Sequence, residues 1–537
     1  MTKYIFVTGG VLSGLGKGII AASIGMLVKN SGYRVTMIKI DPYLNVDAGT
    51  MSPYAHGEVF VTEDGGETDM DIGHYERFLH IDLSRRNNIT SGQIYYSVIL
   101  KERRGDYLGQ CVQIIPHVVD EIKNTIRSIA RDSSADVVVV EIGGTVGDIE
   151  GLPFLEAARQ MRFEEGFKNT FYVHVGLAPI LPSGELKTKP IQHSLQELRR
   201  IGIQPDAIIA RSIRELDDEA KRKLALYGNV PVNGVFSCPY LDTPYRIPLV
   251  LYEQGFTKYI YEKLDLPVKT PDLTQWQVFI EKLTQRTTPV KIAMIGKYTK
   301  LRDSYVSIIE ALTHASTWLG IKPELEWIES TDIESNPQLI SRLEGVDGAI
   351  ILPGFGRRGA EGKIMAIKYL RENNKPTLGI CFGMQLMTVE AARNLAGLEK
   401  ANSQELDPNT PHPVVALAPT QDLNKGLGGT LILGARKIII EEGTLAWRVY
   451  GRREVYERHR HRYIVNPKYV DILEKAGLKI SGYSEEGYAE IIELRENKSF
   501  YLGTQAHPEF KSRPLEPSPI YMAFLDFIKN SKIKNNN

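Results

Sequence analysis

The stretch LGICFGMQ, residues 378–385, places a single thiol at an abrupt turn between a predicted strand and a predicted helix. Apolar residues lead into Cys381, and a helical pattern over 384–392 leads out of the turn. Gly379 and Gly383 allow the backbone to pass close on both sides. The positive end of the helix dipole then faces the sulfur, which favours a thiolate and any oxyanion that forms beside it.

A distant triplet, HPE at residues 507–509, offers the base and the orienting carboxylate that a nucleophilic thiolate needs. If the strand pattern of 501–504 continues through this triplet, His507 and Glu509 lie on one face of the strand. A lone cysteine is more often a small buried hydrophobe, but the turn and the triplet together favour a nucleophile. The set resembles the class I (triad) glutamine amidotransferases. That resemblance implies that Cys381 attacks the glutamine carboxamide, forms a thioester and releases ammonia.

The bulk composition excludes several classes of protein. The 537 residues are too many for one hydrophobic core, so we expect two or three domains. Lys+Arg and Asp+Glu both total 65, and this balance predicts neither a nucleic-acid partner nor a membrane partner. Three cysteines cannot form a disulfide framework, and none are in metal-ligand pairs. No apolar run reaches the roughly 20 residues of a membrane span, and we expect no signal peptide. We therefore predict a cytoplasmic protein.

The pattern of strands and helices divides the chain into two α/β halves. We predict a doubly wound parallel sheet in each, because apolar strands alternate with helices along the chain. The first domain covers 1–267, a linker with some helix covers 268–289, and the second domain covers 290–537. Strands are predicted at 4–8, 34–40, 137–140, 171–175, 207–210, 232–236, 291–296, 349–352 and 377–380, and helices at 18–30 and 304–318.

The glycine-rich loop GGVLSGLGKG, residues 9–18, lies between the first predicted strand and the first predicted helix, as a P-loop does. Backbone N–H groups of such a loop surround phosphates, and Lys17 would reach the outer ones. The leading glycine is one residue early, and Gly18 replaces the usual Ser or Thr. A lone glycine-rich stretch is often only a turn, but the Gly-Lys pair at the helix start favours nucleotide binding.

The missing hydroxyl at position 18 means that Mg²⁺ must take oxygen ligands from carboxylates elsewhere. One source is the acidic run 63–71, most of whose members we interpret as a solvated loop. The other source is Glu141, which follows four valines at the end of a predicted strand. Because the carboxyl ends of strands meet at the ligand crevice of a doubly wound sheet, we expect Glu141 near the P-loop.

Two further stretches carry lysines in places suited to phosphate binding. KIDPY, residues 39–43, puts a lysine and an aspartate at the end of the second predicted strand. GELKTKP, residues 184–190, brings two lysines into a loop that suits a second polyphosphate. The same loop is equally typical of an ordinary exposed basic turn.

Taken together, these segments closely resemble the CTP synthase family over nearly the whole chain. The matching segments are 6–10, 37–43, 57–61, 74–78, 141–150, 187–193, Cys381 and 507–509. The resemblance implies a ligase of pyrimidine biosynthesis, in which a P-loop synthetase domain uses ATP to aminate UTP and a glutamine amidotransferase domain supplies ammonia. It also implies Mg²⁺ as cofactor, GTP as allosteric activator, feedback inhibition by CTP, and a homotetramer.

The resemblance also implies a role for each residue that matches a motif of the family. Catalysis would depend on Cys381, His507, Glu509, Lys17 and Lys39. ATP would contact Gly14, Leu15, Gly16, Lys17, Gly18, Ile19, Asp71 and Tyr240, with Mg²⁺ on Asp71 and Glu141. UTP or CTP would contact Ser13, Asp148, Ile149, Glu150, Lys187, Thr188, Lys189, Pro190, Ile191, Gln192 and Lys223. Glutamine would contact Tyr54, Gly354, Phe382, Gly383, Met384, Gln385, Glu405 and Arg460.

Three segments leave questions open. The basic run RHRHR, residues 458–462, is typical of a nucleic-acid patch or a solvated charge run, whereas the resemblance favours a site for the glutamine carboxylate. PGFG, residues 353–356, has one glycine fewer than the family's usual Pro-Gly-Gly-Phe-Gly. This restricts the backbone flip that aims an N–H at the oxyanion, although we expect the hole to form. CPY, residues 238–240, lacks the lysine often found at the adenine contact.

Two other functions are compatible with parts of the sequence. Cobyrinate-type amidotransferases also join a variant P-loop to a glutaminase-like domain, but the histidine and glutamate arrangement often differs there and the loop 187–190 has no counterpart. A nucleotide-gated assembly protein with relic catalytic residues is a third, non-enzymatic hypothesis. The intact Cys381, His507 and Glu509 argue against it.

Overall fold

The computed structural model describes residues 2–12, 14–422, 428–496 and 499–536. Ser13, a predicted contact for UTP, therefore lies outside the described residues. The chain forms two compact units, of which the first comprises Met1–Ala48 with Asp69–Gln277 and the second comprises Gly49–Thr68 with Val278–Asn537. Both units combine helices with sheets, which confirms the predicted α/β class.

Strands and helices are numbered along the chain. The strands are β1 (Lys3–Gly9), β2 (Val35–Asp41), β3 (Phe60–Val61), β4 (Glu67–Thr68), β5 (Asn88–Thr90), β6 (Val137–Ile142), β7 (Thr170–Leu177), β8 (Ala207–Ser212), β9 (Val235–Pro239), β10 (Thr288–Gly296), β11 (Ile321–Glu329), β12 (Gly348–Ile351), β13 (Thr377–Ile380), β14 (Ala401–Ser403), β15 (His412–Leu417), β16 (Ile432–Ile440), β17 (Glu454–His461), β18 (Tyr463–Val465), β19 (Leu478–Ser484), β20 (Ala489–Leu494) and β21 (Tyr501–Thr504).

The α-helices alternate with these strands through most of the chain. They are α1 (Lys17–Asn30), α2 (Pro53–His56), α3 (Met70–Leu79), α4 (Ser91–Arg104), α5 (Val119–Asp132), α6 (Leu152–Glu165), α7 (Lys189–Arg200), α8 (Asp218–Gly228), α9 (Ile247–Glu253), α10 (Phe256–Lys263), α11 (Thr274–Thr284), α12 (Val306–Leu319), α13 (Ser330–Ser335), α14 (Ala360–Glu372), α15 (Phe382–Asn394), α16 (Leu445–Tyr450), α17 (Val470–Lys475) and α18 (Pro519–Asn536). Among the described residues, no helix combines the length and the apolar character needed to cross a membrane.

The first unit is built on a seven-stranded parallel sheet with the order β5-β2-β6-β1-β7-β8-β9. The chain first adds strands on one side of β1 and then on the other, so the sheet is doubly wound, as predicted. The four valines of β6 are fully buried, and Val138 and Val140 pack in the same core as α5 and α6. This order brings the carboxyl ends of β1, β2, β6 and β7 to one edge.

A nine-stranded sheet with the order β11-β10-β12-β13-β21-β20-β19-β16-β17 forms the centre of the second unit. The predicted parallel sheet corresponds to its first five strands. The remaining four strands are antiparallel, an extension that the sequence periodicity did not indicate. Two smaller sheets, β14-β15-β18 and β3-β4, complete the unit.

The segment Gly49–Thr68 belongs to the second unit, although it precedes most of the first unit in sequence. Its Phe60 ring packs edge-on against Phe510, with ring centres 5.1 Å apart. The Glu58 carboxylate accepts hydrogen bonds from the N–H and the hydroxyl of Ser307, at 3.1 and 2.5 Å. The sequence-based division at 267 and 290 places this segment in the first domain, and as a statement about independent domains it stays a prediction.

One strand boundary differs from the sequence-based expectation. The predicted strand 232–236 begins only at Val235, because Val232–Gly234 forms a 3-10 helix after Pro231. The segment predicted as a linker with some helix contains the regular helix α11, in agreement with that expectation.

A buried ion pair in the second unit predicts a large loss of stability on mutation. Glu390 is fully buried and accepts hydrogen bonds from both Nε and NH2 of Arg371, the latter at 2.8 Å. Glu390→Ala removes this carboxylate, and in the described part of the chain Arg371 then keeps an ion pair with the half-exposed Glu372 alone. We expect the free energy of unfolding of this unit to fall by about 3 kcal/mol. Hydrogen exchange of peptides from α15 at increasing urea concentration measures this free energy of unfolding.

The matched control is an exposed pair on the same two helices. Arg393 and Glu361 lie 2.7 Å apart, but the Glu361 side chain is 53% exposed. Glu361→Ala should therefore cost at most about 1 kcal/mol. Equal losses in the two variants would contradict the role given to burial.

Candidate functional site

The turn predicted around Cys381 is present between β13 and α15. Cys381 has φ 52° and ψ −105°, a backbone conformation that costs a non-glycine residue of order 1–3 kcal/mol. A Cβ on Gly379 would lie 2.2 Å from the Met387 sulfur, and one on Gly383 would lie 2.2 Å from the Ile351 carbonyl oxygen. Close packing therefore requires both glycines, and the strained turn presents the sulfur at the positive end of α15.

His507 and Glu509 form the expected pair, but they do not lie on a strand. β21 ends at Thr504, and His507 precedes a 3-10 helix, Pro508–Lys511, because proline favours the first position of a helix. The prediction of a shared strand face is therefore wrong. The helical turn nevertheless brings Glu509 Oε1 within 2.8 Å of His507 Nδ1, so the carboxylate orients the imidazole.

Neighbouring charged groups favour the protonated form of His507. Burial lowers the pKa of His507, but the neighbouring Cys381 sulfur and Glu509 carboxylate outweigh it and raise the pKa to about 10. The Nε2 atom of His507 has no hydrogen-bond partner in the described part of the chain, so it is free to exchange a proton with a reacting group. The arrangement therefore places a positive charge beside the Cys381 sulfur.

Two backbone N–H groups are candidates for stabilising an oxyanion at Cys381. Phe382 begins α15, and the first N–H groups of a helix have no acceptor within it. Gly354 lies in the loop after β12, which pairs in parallel with β13, so the two loops leave the sheet side by side. Nothing in the described ranges accepts a hydrogen bond from the Gly354 N–H. Its φ of 154° is one that side chains rarely adopt.

The residues expected to bind glutamine lie in the second unit. Gly383, Met384 and Gln385 are buried in the first turn of α15, where the Met384 side chain packs in the apolar core. Glu405 Oε1 accepts a hydrogen bond from the Gly356 N–H at 2.5 Å. Tyr54 is 63% exposed, and its ring lies edge-on to another tyrosine at 4.8 Å. For Met384, only the backbone is positioned to reach a ligand.

The basic run RHRHR is buried rather than solvated. Arg458 is fully buried and pairs with Glu63 at 2.8 Å. Arg460 pairs with Glu67 at 2.9 Å and donates to the Gly49 carbonyl at 3.1 Å. The solvated interpretations of this run and of the acidic run are therefore wrong for these residues. Strand alternation in β17 turns both arginines toward the carboxylates of the segment Gly49–Thr68.

In the first unit, the glycine-rich loop connects β1 to α1 as predicted. Gly14 and Gly16 have φ values of 74° and 79°, which glycine adopts without strain. Lys17 begins the helix and donates to the Gly144 carbonyl at 2.7 Å. Burial lowers the pKa of Lys17. Since Gly144 follows β6, the lysine ties the loop to the strand that carries Glu141.

Four carboxylates surround the ammonium group of Lys39 at the carboxyl ends of β2 and β6. Lys39 Nζ contacts Asp71 and lies 3.3 Å from Glu141 and 3.6 Å from both Asp41 and Asp69. Burial opposes the charge on Lys39, but these carboxylates hold its pKa well above the ordinary value. Lys39 and Glu141 were expected at this site, whereas Asp69 belongs to the run expected to be mostly solvated and is only 7% exposed. Its position as the N-cap of α3 was the missed signal.

The four carboxylates bear more charge than the nearby lysines neutralise. Burial raises the pKa of Asp41 to about 6 and also raises that of Glu141. Burial acts in the same direction on Asp71, but Lys39 prevails and lowers the Asp71 pKa to about 2. Four carboxylates against two ammonium groups, Lys39 and Lys17, leave a formal charge of −2 when all are ionised. Oxygen ligands with this excess of charge fit Mg²⁺.

Gly18 makes room for one of these carboxylates. A Cβ at position 18 would lie 1.9 Å from Asp71 Oδ1. The carboxylate thus occupies the space beside α1 where the usual P-loop Ser or Thr would stand. This contact gives a physical reason for the glycine that departs from the P-loop consensus.

The other predicted nucleotide contacts follow β6 and β7 or lie on helices of the first unit. Asp148 and Glu150 flank Ile149, which is 82% exposed. Lys187, Thr188 and Lys189 precede or begin α7, and Pro190, Ile191 and Gln192 lie within it, with the Ile191 side chain fully buried in the core. Lys223 on α8 is exposed and pairs with Glu219 at 3.5 Å.

Arg211 is a candidate contact for ATP that the sequence analysis missed. Its guanidinium lies 4.5 Å from the centre of the Tyr240 ring and donates to the Cys238 carbonyl at 3.2 Å. It also comes within 4.0 Å of the position that a Cβ on Gly16 would take. Arg211 therefore supplies a cation beside Cys238 and Tyr240, in the segment that lacks the expected lysine. Its place at the end of β8 was the available signal.

Comparison with known proteins identifies both halves of the chain. Residues 3–266 match the family described as CTP synthase N-terminus, and residues 300–527 match glutamine amidotransferase class-I. A CTP synthase of Sulfurisphaera tokodaii is 60% identical over 98% of this chain and 99% of its own. One of Aeropyrum pernix is 60% identical over 97% and 98%, and one of Pyrococcus furiosus is 55% identical over 100% and 99%.

The charge balance at Cys381 predicts how fast its sulfur is alkylated. Against the effect of burial, the Cys381 sulfur and the Glu509 carboxylate raise the pKa of His507 to about 10, so His507 places a positive charge beside this sulfur at pH 7. His507→Gln removes the counter-charge and should slow alkylation at pH 7 about tenfold or more. A Cys111→Ser background removes the exposed thiol, and mass spectrometry follows the labelling. An unaltered rate in His507→Gln would contradict the ion pair.

The contact between Gly18 and Asp71 predicts a specific defect. Gly18→Ala adds a Cβ that displaces the Asp71 carboxylate, so Mg²⁺-dependent binding of ATP should weaken about tenfold or more. Isothermal titration calorimetry with and without Mg²⁺ measures this. Gly151→Ala is the control in the same unit, because a Cβ there meets no atom within 4 Å and its φ of −82° suits alanine. Equal affinity of Gly18→Ala and wild type for Mg²⁺-ATP would refute the contact's role.

Proposed function

The chain belongs to the CTP synthase family, and from this premise we propose how its two sites divide the reaction. It is a ligase that makes CTP from UTP and ATP with glutamine as the nitrogen donor. The whole-length relatives carry the same name, which disfavours a cobyrinate-type acceptor and a non-catalytic assembly role. The arrangement of Cys381, His507 and Glu509 is the observation that supports most directly the assignment of ammonia release to the second unit.

In the second unit, the Cys381 thiolate attacks the carboxamide carbon of glutamine. The oxyanion that forms accepts hydrogen bonds from the N–H groups of Phe382 and Gly354. His507 gives its Nε2 proton to the departing ammonia, and Glu509 holds the ring through Nδ1. A water molecule, deprotonated by His507, then hydrolyses the thioester and releases glutamate. Arg460 and Glu405 are the proposed partners of the amino-acid end of glutamine.

In the first unit, the reaction must replace the C4 oxygen of UTP. Direct replacement is slow, because oxide is a poor leaving group. Transfer of the γ-phosphoryl group of ATP to this oxygen converts it into phosphate, which leaves readily after ammonia attacks C4. Lys17 reaches the outer phosphates from the start of α1, and Lys39 stabilises charge that develops during transfer. The backbone N–H groups of the loop, from Gly14 to Ile19, hold the ATP phosphates.

Mg²⁺ would be held by Asp71 and Glu141 and would neutralise phosphate charge during the transfer. The excess of negative charge around Lys39 supports this assignment. The Tyr75 hydroxyl donates a hydrogen bond to Glu141 and so holds this carboxylate in place. Asp69 caps α3 by accepting a hydrogen bond from the Asp71 N–H at 2.8 Å.

Further features of the proposal concern regulation and assembly. CTP would overlap the UTP site and add contacts with residues 148–150, and GTP would act as an activator. A homotetramer is supported by an exposed apolar face on α4, where Tyr96, Ile99 and Leu100 are 59%, 57% and 42% exposed. A cytoplasmic location agrees with three free cysteines.

Separate sites predict separable activities. Cys381→Ala removes the nucleophile, so glutamine-driven CTP formation should fall at least about a thousandfold while ammonium chloride still supports wild-type rates. Lys17→Ala should abolish CTP formation from either nitrogen source but leave glutamine hydrolysis measurable. The absorbance change of the cytosine ring reports CTP, and a coupled glutamate assay reports hydrolysis. Loss of both activities in Cys381→Ala, or intact amination in Lys17→Ala, would contradict the division.

A further inference from the structure

The loop that follows β12, residues 352–356, is held by charged side chains at both ends. Its sequence LPGFG has one glycine fewer than the pattern common in the family. With fewer flexible positions, the loop has less freedom to turn an N–H toward a forming oxyanion. The contacts around this loop therefore decide whether the donor is already aimed correctly.

The first end of the loop is fixed at Leu352. Its N–H donates to the Ile295 carbonyl at 2.9 Å, and its own carbonyl oxygen accepts a hydrogen bond from Lys363 Nζ at 2.6 Å. The next residue, Pro353, has a ring-locked φ and no N–H. With the preceding peptide plane held by Lys363, the direction of the Gly354 N–H depends on one remaining torsion, ψ of Pro353.

The second end of the loop is fixed at Gly356. Lys297 donates to the carbonyl oxygens of Phe355 and Gly356, the latter at 3.0 Å, and Glu405 accepts from the Gly356 N–H. The peptide between Pro353 and Gly354 thus follows the anchored Leu352–Pro353 peptide directly and is separated from the anchored Phe355–Gly356 peptide by the Gly354–Phe355 peptide. Its N–H remains without an acceptor within the described residues, as an oxyanion donor should.

Lys363 is an unusual residue for its surroundings. It lies on α14 with its side chain fully buried, and its Nζ is 5.3 Å from the centre of the ring of Phe382, the neighbour of Cys381. Across the described ranges, no carboxylate lies within 4.0 Å of this nitrogen. Burial, reinforced by the charge of Lys297, lowers the pKa of Lys363 to about 7. Burying such a group is unfavourable, so its hydrogen bond to Leu352 is the contact that explains it.

We propose that Lys363 is a positioning residue for the oxyanion hole. By holding the Leu352 carbonyl, it aims the Gly354 N–H at the oxygen of the tetrahedral intermediate on Cys381. No hydrogen bond joins Lys363 to the Cys381 sulfur among the described residues, and its proposed effect runs through its hydrogen bond to the loop. The inference rests on glutamine hydrolysis at Cys381, and it identifies the residue that compensates for the shortened loop.

Lys363→Met tests the proposal, because it keeps an unbranched apolar stem and removes the donor. The kcat for glutamine hydrolysis should fall about tenfold to a hundredfold, since loss of a whole oxyanion donor costs about 10²–10³. The KM for glutamine should change less than about twofold, because the lost interaction forms only in the transition state. Alkylation of Cys381 by iodoacetamide, which forms no oxyanion, should keep its wild-type rate, as should CTP formation from ammonium.

Lys368→Met is the matched control, because it makes the same change at an exposed position of the same helix. It should leave every measured rate unaltered. A glycine inserted after Gly354 in the Lys363→Met variant should restore part of kcat by returning freedom to the loop. If Lys363→Met does not fold, Lys363→Gln, which is too short to reach Leu352, should show the same selective loss of kcat.

An unchanged kcat in the folded Lys363 variant would overturn the proposal. So would a fall in kcat that is matched by an equal fall in the alkylation rate, because that pattern reports a damaged nucleophile rather than a misaimed donor. Glutamine hydrolysis by the wild type, and its loss in Cys381→Ala, test the function itself. The comparison of Lys363→Met with Lys368→Met then tests the positioning role alone.

Discussion

Balance of buried charge at the carboxyl edge of a parallel sheet is the constraint on which the first unit depends. Lys39 lies among four carboxylates that a folded protein tolerates only if cations compensate them. This requirement links features that look unrelated in sequence. It explains why a lysine ends β2, why Glu141 follows four buried valines, and why glycine replaces a hydroxyl residue beside Asp71. It also creates a place where a divalent cation and triphosphates are favourable ligands.

The second unit meets a related constraint by a different route. Cys381 is held in a strained backbone conformation between two glycines whose close contacts permit no side chain. The surrounding packing offsets this strain. As a result, the sulfur faces the start of α15 and the imidazole of His507. The Glu509 carboxylate then holds the imidazole through Nδ1. In the proposed reaction, the donors for the oxyanion are the N–H groups of Gly354 and Phe382.

Local patterns in the sequence predicted the features that local physics determines. The turn at Cys381 and the loop before Lys17 depend on glycines and helix starts that lie within ten residues of each other. Lys363 and Arg211 could not be recognised, because their roles come from contacts with strands far away in sequence. Glu67 belongs to a run that was expected to be mostly solvated, because the local sequence does not show whether a distant cation pairs with a carboxylate. In the structure Arg460 forms that ion pair.

In the proposed reaction, one unit activates the ring oxygen of UTP while the other releases the nitrogen that replaces it. Double isotope labelling tests this division of the chemistry most directly. The enzyme is given UTP with ¹⁸O at C4, glutamine with ¹⁵N in its amide, ATP and Mg²⁺, and the products are analysed by mass spectrometry. We expect ¹⁸O to appear in inorganic phosphate in the same amount as ¹⁵N appears in CTP. Release of the ¹⁸O into water, or CTP without ¹⁵N, would contradict it.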